Sequence, residues 1–321
     1  MQQIQKLDTK DLAILRELDS NFRQPFSKIA KKVGLSKNSV ALRFNKLKEC
    51  MLHNLVGIDN ELLGYHRVEV YYNLDFYNEE TEKKLILELK KHKNVLWAAR
   101  FYGYYDLCIC LFVSSLGDLI NQIKDFNKKF SSKINRKEIQ IIHKQFHFRH
   151  NFIHEKPIKQ IYEVPKDERK IDLSTIEKKI LFTIRHAPRM SLIEIARKTR
   201  LTPKTVSSRL KELEQKGVIT GYFMTINPAK FNHDLYKLLI QLNNSERDKE
   251  FEEYLKSIKN IRLIAKMLGL WDYQVDCAYP NINYLQEQIE IMKQKFPNLI
   301  KKIGIVSLGY RILTNKEDFL I

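Results

Sequence analysis

The chain has 321 residues, of which 44% are hydrophobic, and its 56 Lys and Arg against 38 Asp and Glu give a formal net charge of +18. This length allows two to four small domains with ordinary cores, and the basic excess favours a polyanionic partner, although a solvated basic surface would give the same balance. The N-terminal residues do not resemble a targeting peptide, and the longest purely apolar run, residues 107–113, is too short to span a bilayer.

The four cysteines are Cys50, Cys108, Cys110 and Cys277, and their spacing matches no zinc site. We therefore expect reduced thiols, a cytoplasmic protein, and neither a metal nor another cofactor.

The first predicted unit is a group of three helices followed by a wing. Residues 7–22 form an amphipathic helix that Asp8 can cap, and residues 29–47 predict a short helix, a tight turn and a second helix. The second helix has an exposed face of the kind that can lie in a DNA major groove. The candidate DNA-binding residues of this unit are Ser36, Lys37, Asn38, Ser39, Arg43 and Lys46.

Residues 66–150 change to alternating strands and helices. The predicted strands are 67–76, 95–101, 106–114 and 138–149, and the predicted helices are 78–91 and 116–130. The order β-α-β-β-α-β is that of a ferredoxin-like module.

The whole pattern then repeats 166 residues later. Two capping boxes, at Ser174 and Ser191, start the first two helices of a second unit, and Thr202 and Pro203 start its recognition helix. The candidate DNA-binding residues here are Thr202, Pro203, Lys204, Thr205, Ser208, Arg209 and Lys211. A second set of strands and helices follows at 236–242, 247–258, 261–268, 273–279, 282–296 and 303–313.

The predicted fold class is α+β, a tandem repeat of a winged helix-turn-helix unit and a ferredoxin-like βαββαβ domain. The predicted domains are winged helix-turn-helix 1 (1–64), ferredoxin-like module 1 (65–153), a linker (154–170), winged helix-turn-helix 2 (171–232) and ferredoxin-like module 2 (233–321). The sequence leaves open whether the modules pair within one chain or between chains.

These motifs together resemble the Lrp/AsnC (feast/famine) transcription regulators, which carry one helix-turn-helix unit and one effector-binding, oligomerising RAM domain. The resemblance implies a tandem-duplicated member that binds double-stranded DNA, responds to a small effector such as an amino acid, and forms a homo-oligomer. Two departures stand out. Met51-Leu52-His53 replaces the family's Gly-Val-Ile, so DNA contact by the first wing stays open, and Arg200 replaces a turn glycine, which predicts a slightly different turn.

The same resemblance marks Gly103, Asp106, Gly269 and Asp272 as tentative effector-binding residues, on the family's Gly-x-x-Asp turn. An Asp could accept from an amino group, and a Gly N–H could face a carboxylate. A plain β-turn would require the same residue types for backbone reasons.

Purely structural roles are alternatives for other candidate residues too. Arg43 and Arg209 could form internal salt bridges instead of contacting DNA. The cluster of His143, His147, His150 and His154 is expected to be a solvated strand end, with metal or haem binding as the alternative. The aromatic residues near the turns are expected to be core and interface residues.

Three functions follow from these features. The favoured hypothesis is a sequence-specific transcription regulator without enzyme activity, whose wings contact phosphates and whose two unlike recognition helices contact two unlike half-sites. The second is an architectural protein that coats DNA with little sequence preference. The third is an enzyme similar to the sirohaem decarboxylases, which share this two-domain fold.

Overall fold

The computed structural model describes residues 7–75, 78–92, 94–154, 162–164 and 170–314. The elements of the first half are α1 (Thr9–Ser20), α2 (Phe26–Val33), α3 (Lys37–Leu47), β1 (Met51–Ile58), β2 (His66–Leu74), α4 (Glu79–Leu89), β3 (Val95–Gly103), β4 (Leu107–Val113), α5 (Leu116–Phe130) and β5 (Ile134–His147). Those of the second half are β6 (Tyr162–Val164), α6 (Thr175–Ile184), α7 (Leu192–Thr199), α8 (Pro203–Gln215), β7 (Ile219–Ile226), β8 (Asp234–Leu242), α9 (Asp248–Ser257), β9 (Ile261–Leu268), β10 (Tyr273–Tyr279), α10 (Ile282–Lys295) and β11 (Ile300–Thr314).

The helices begin where the capping residues predict. The side chains of Asp8, Ser174, Ser191 and Thr202 each accept a hydrogen bond from a backbone N–H in the first turn of the helix that follows. Such a cap satisfies a backbone donor that has no partner inside the helix. The starts of these four helices therefore follow from local sequence.

The two helix-turn-helix units share one hydrophobic core. Leu15 and Leu18 of the first unit and Ile180 and Leu181 of the second belong to the same buried cluster. Strands β1 and β7 pair antiparallel with each other, with Leu55 opposite Phe223. Each unit therefore contributes a single strand to a joint two-stranded sheet, and the expectation of a separate wing on each unit is wrong.

The two ferredoxin-like modules pair within the chain. Their strands hydrogen-bond in the order β2-β4-β3-β11-β8-β10-β9-β5, and β5 also pairs with β2, so the eight-stranded ring closes. Long strands join the modules: β5 pairs with both β2 and β9, and β11 pairs with both β8 and β3. Strand β6 adds to β5, so part of the predicted linker is a strand, while residues 155–161 and 165–169 lie outside the described residues.

The pairing follows a pseudo-two-fold axis. Ile141 of β5 lies opposite Leu268 of β9, and Ser307 of β11 lies opposite Tyr102 of β3. Ile141 and Ser307 are one repeat of 166 positions apart, and so are Tyr102 and Leu268. The two junctions between the modules are therefore equivalent. One chain thus has the arrangement of two paired subunits.

Three hydrophobic clusters hold this ring. One lies beneath α4 and α5, one beneath α9 and α10, and one is formed by residues of both modules, where Tyr71, Tyr105 and Trp271 are completely buried. The expected core role of these turn aromatics is confirmed for Tyr105 and Trp271, whereas Tyr102 is half exposed. Ile120 of α5 is also exposed.

Charged residues also join the two modules. The ammonium group of Lys237 on β8 lies 3.2 Å from a carboxylate oxygen of Glu69 on β2, and Arg67 binds the other oxygen at 2.9 Å. The Tyr71 hydroxyl donates to the same carboxylate at 2.6 Å. Burial alone would raise the pKa of Glu69, but Lys237 and Arg67 hold that pKa below its ordinary value.

Candidate nucleic-acid interface

Helix α3 is fixed by its apolar side and by its turn. Val40, Phe44 and Leu47 are buried in the shared core, and Gly34 adopts the left-handed conformation that links α2 to α3. The Ser36 side chain accepts from the Ser39 N–H at 3.0 Å and caps the helix. The predicted residues Ser36, Lys37, Asn38 and Lys46 are exposed, and Ser39 and Arg43 are partly exposed.

Arg43 is held against the first helix. Its guanidinium lies 2.6 Å from a carboxylate oxygen of Asp8 and 2.7 Å from one of Asp11. The interpretation of Arg43 as an internal salt bridge is therefore supported, and the exposed polar groups nearer the start of α3 are better placed for a ligand.

Helix α8 is positioned in the same way. Val206, Leu210 and Leu213 are buried. Arg200 adopts φ 59° and ψ 41°, close to the values of Gly34, so the prediction of a different turn is wrong. The predicted residues Thr202, Pro203, Lys204, Ser208 and Lys211 are exposed, and Thr205 and Arg209 are partly exposed.

The second recognition helix carries an acidic residue on its outer side. Glu212 binds Arg209 at 2.6 Å and accepts from the Ser208 hydroxyl at 3.0 Å. Arg209 is thus paired within its own helix, at a site more exposed than that of Arg43. Lys204 and Lys211 are exposed without sharing in this network.

The Gly-x-x-Asp turns have a clear backbone role. Asp106 accepts from the Leu74 N–H at 2.8 Å, and Asp272 accepts from the Leu242 N–H at 2.7 Å, so each carboxylate holds the end of a neighbouring strand. Gly103 and Gly269 both have positive φ and lie so close to the crossing strand of the other module that a Cβ would come within 2.6 Å of a backbone oxygen. The turns therefore lie where the modules meet.

A cleft of about 330 Å³ lies beside one of these turns. Its polar lining includes Asn243, Asn244, Ser245, Lys266 and Asp272. This volume is at the small end of the range for ligand pockets. The cleft therefore combines hydrogen-bond donors and acceptors of both charges with room for a small polar molecule.

Two of the four clustered histidines do not lie at a solvated strand end. His150 and His154 are buried, and their ring nitrogens lie 2.7 Å and 2.9 Å from the two carboxylate oxygens of Asp19 on α1. Burial would raise the pKa of Asp19, but the hydrogen bonds from these two rings hold it well below its ordinary value. The chain after β5 turns back against the first helix, which the strand pattern does not indicate.

His147, at the end of β5, has a different environment. Its side chain is partly buried, and this burial, together with the nearby Arg67 and Arg262, lowers its pKa to about 4. His143 is exposed. In the described part of the chain no group of three or more His, Cys, Asp and Glu is arranged to hold a metal ion, and none of the described helices is long and apolar enough to cross a membrane.

Two family models of DNA-binding domains match the chain. The AsnC-type helix-turn-helix domain matches residues 7–48, and the winged helix-turn-helix DNA-binding domain matches residues 173–220. Both matches coincide with the three-helix units described above. The two helix-turn-helix units are therefore recognised independently of each other.

Curated proteins with similar sequences are transcription regulators. An uncharacterised HTH-type transcriptional regulator of Pyrococcus horikoshii is 25% identical over 151 residues, which are 47% of this chain and 92% of that protein. The leucine-responsive regulatory protein of Escherichia coli is 26% identical over 115 residues, 35% of this chain and 70% of that protein. Each match has the length of one repeat or less.

A solved structure has the same tandem architecture. The crystal structure of the sirohaem decarboxylase NirDL superposes with a TM-score of 0.66 at 13% identity, and the match covers 95% of this chain and 92% of that chain. At this identity the likeness concerns the fold alone.

Proposed function

We propose that this chain, which belongs to the Lrp/AsnC family of transcription regulators, binds duplex DNA in a sequence-specific manner as a single tandem molecule. The observation that carries the proposal is the pair of capped, core-anchored recognition helices with exposed polar faces. Such helices enter major grooves, and helix starts with Lys, Asn, Ser and Thr can contact base edges and phosphates. The regulators that match its sequence support the same function.

The residues proposed to contact DNA are those on the exposed starts and outer sides of α3 and α8. Lys37 and Lys204 are both exposed in the first turn of their helices, although the repeat of 166 positions aligns Lys204 with Asn38. Either side chain can bind a guanine edge or a phosphate. The strands β1 and β7 pair with each other, so any phosphate contact by this region comes from the joint two-stranded sheet.

Selection of the purified protein on a random duplex library tests the proposal. We expect a two-part motif, and we expect the Lys37→Ala/Lys204→Ala variant to bind the selected site at least tenfold more weakly. The control is Lys249→Ala/Lys259→Ala, which removes two exposed charges from the second module and should bind normally. Strong retention without a motif would instead identify an architectural DNA-coating protein, and no retention would refute DNA binding.

An amino acid or a similar small molecule is the proposed effector. Support comes from the name of the leucine-responsive regulatory protein and from the polar cleft beside Asp272. We place Gly103, Asp106, Gly269 and Asp272 in or beside the effector sites, in addition to their backbone roles. A screen of amino acids by thermal shift should find a ligand whose effect is reduced by Lys266→Met, a substitution that spares the turn itself.

We further propose a cytoplasmic protein that assembles as a dimer of tandem chains and is not an enzyme. The specific observation for the alternative is the full-length likeness to the sirohaem decarboxylase fold. Titration with iron-uroporphyrin III distinguishes the two, because a shifted Soret band at stoichiometric ligand would favour tetrapyrrole chemistry. The proposed regulator should leave the Soret band unchanged.

A further inference from the structure

The two recognition helices differ most at the centre of their outer sides. Counting one repeat of 166 positions, Leu42 of α3 corresponds to Ser208 of α8, Asn38 to Lys204, Asn45 to Lys211, and Lys46 to Glu212. The buried stripes correspond as well, with Val40 matching Val206 and Leu47 matching Leu213. The cores of the helices are therefore conserved between the repeats while their exposed faces have diverged.

Leu42 has an unusual environment for a leucine. Its side chain is 66% exposed, although α3 buries its other large apolar residues. One exposed leucine on a protein surface needs no explanation. This one, however, lies four residues after Asn38 and four before Lys46, so the three side chains form one continuous row along the outer side of the helix.

The side chains of this row are complementary to a DNA site that contains A·T base pairs. Asn38 can donate to and accept from an adenine edge, and an apolar side chain can pack on the C5-methyl group of thymine. Residues four apart are about 6 Å apart along a helix axis, which corresponds to roughly two base-pair steps of about 3.4 Å. Asn38 and Leu42 are thus spaced to contact an adenine and a thymine about two steps apart.

The corresponding row of α8 has a different chemistry. Ser208 donates to Glu212, which also binds Arg209, so this part of the helix has an occupied polar network and no apolar group for a thymine methyl. Lys204 stands where α3 has Asn38, and lysine favours a guanine edge over adenine. The two helices therefore present different contacts to the base pairs beneath them.

We propose that the chain binds an asymmetric operator in which the α3 half-site contains a thymine recognised through its methyl group by Leu42, next to an adenine recognised by Asn38, and the α8 half-site lacks both contacts. This proposal rests on the proposed function. It follows from the tandem repeat, because two recognition helices in one chain can diverge independently, whereas two identical subunits present identical helices.

Deoxyuridine substitution tests the methyl contact directly, since it removes only the C5-methyl group. In the site selected by the wild type, replacing the thymine of the α3 half-site should weaken binding about fourfold, as expected for losing one buried methyl group. The Leu42→Ser variant should bind thymine and uracil sites equally. Replacing thymines of the α8 half-site should leave wild-type binding unchanged.

The outcomes separate this proposal from the proposed function. A wild-type protein that selects no motif refutes sequence-specific binding itself. A palindromic motif, or equal uracil effects in both half-sites, refutes the asymmetry while the regulator function stands. A Leu42→Ser variant that still distinguishes thymine from uracil refutes the role of Leu42. Equal thermal stability of variant and wild type, expected for so exposed a side chain, excludes misfolding as the cause.

Discussion

At the scale of single residues, Arg200 shows how backbone geometry overrides residue preference. The turn between α7 and α8 requires a left-handed residue, and Arg200 occupies it although an L-residue with a side chain is disfavoured there by about 1–2 kcal/mol. The equivalent turn of the first unit has Gly34. The second unit therefore tolerates strain that the first unit avoids.

Replacing Arg200 with Gly should stabilise the protein. We expect the free energy of unfolding to rise by about 0.5–1 kcal/mol, because the strain relieved exceeds the extra chain entropy of glycine in the unfolded state. Urea denaturation followed by circular dichroism measures this change. The matched variant is Gly34→Ala, which should lose about 1 kcal/mol; equal effects of the two substitutions would contradict the argument.

His147 makes stability depend on pH. Its pKa in the folded protein is about 4, below the value of about 6.5 for an unfolded chain. Between these values the unfolded state binds a proton that the folded state does not, so stability falls as pH decreases through this range. The melting temperature of the wild type should therefore fall from pH 7 to pH 4.5.

The His147→Gln variant isolates this contribution. Its melting temperature should fall less steeply over the same pH range, whereas the exposed control His66→Gln should follow the wild type. An unchanged slope in His147→Gln would show that other groups cause the acid sensitivity. Asp19 does not cause acid sensitivity above pH 5. Because its pKa is depressed in the folded protein, its contribution to stability is lost only at lower pH.

At the scale of elements, the local sequence determines the helices and strands but not their partners. Caps such as Ser174 and Thr202 predict where helices begin because these signals involve neighbouring residues. The Asp19–His150 contact joins residues 131 positions apart, and the pairing of β1 with β7 joins two separate units. The spacing of apolar residues within one element does not indicate such contacts, because they form only when the buried surfaces of different elements pack together.

The pseudo-two-fold axis gives the Glu69–Lys237 pair a special role. These residues are at equivalent positions of β2 and β8, so two identical modules would place Glu against Glu or Lys against Lys. Trp271 and Tyr105 are also equivalent, and the indole N–H of one donates to the hydroxyl of the other at 3.0 Å. Complementary residues at equivalent positions favour pairing of unlike modules.

Substitution of Lys237 tests this argument. Lys237→Met should cost about 3 kcal/mol, because it leaves the buried Glu69 with fewer partners. Lys237→Glu should destabilise further, since it adds a second carboxylate beside Glu69 as in a pairing of like modules. Urea unfolding measures both, with the exposed Lys259→Glu as control. A milder effect of Glu than of Met at position 237 would contradict the role of charge complementarity.

At the scale of the whole molecule, the halves are joined by far more than the connecting chain. The helix-turn-helix units share one core, the ring of strands crosses between modules at two places, and a buried cluster is formed by residues of both modules. Each half alone would expose these surfaces to water. The chain should therefore behave as one cooperative unit in which the covalent connection is dispensable once the fold has formed.

A protease site inserted within residues 165–169 tests this cooperativity. After cleavage, the nicked protein should elute at the size of the intact 38.2 kDa chain or its oligomer and should still bind DNA, because no described contact is cut. Denaturing electrophoresis confirms the cleavage. Separation of the halves at micromolar concentration without denaturant would show that the shared core and strand ring are weaker than their burial indicates. Persistence of the complex, followed by dissociation in urea in a single transition, would establish that the two repeats together form the folding unit, and hence that both recognition helices are held in one fixed relation when they meet DNA.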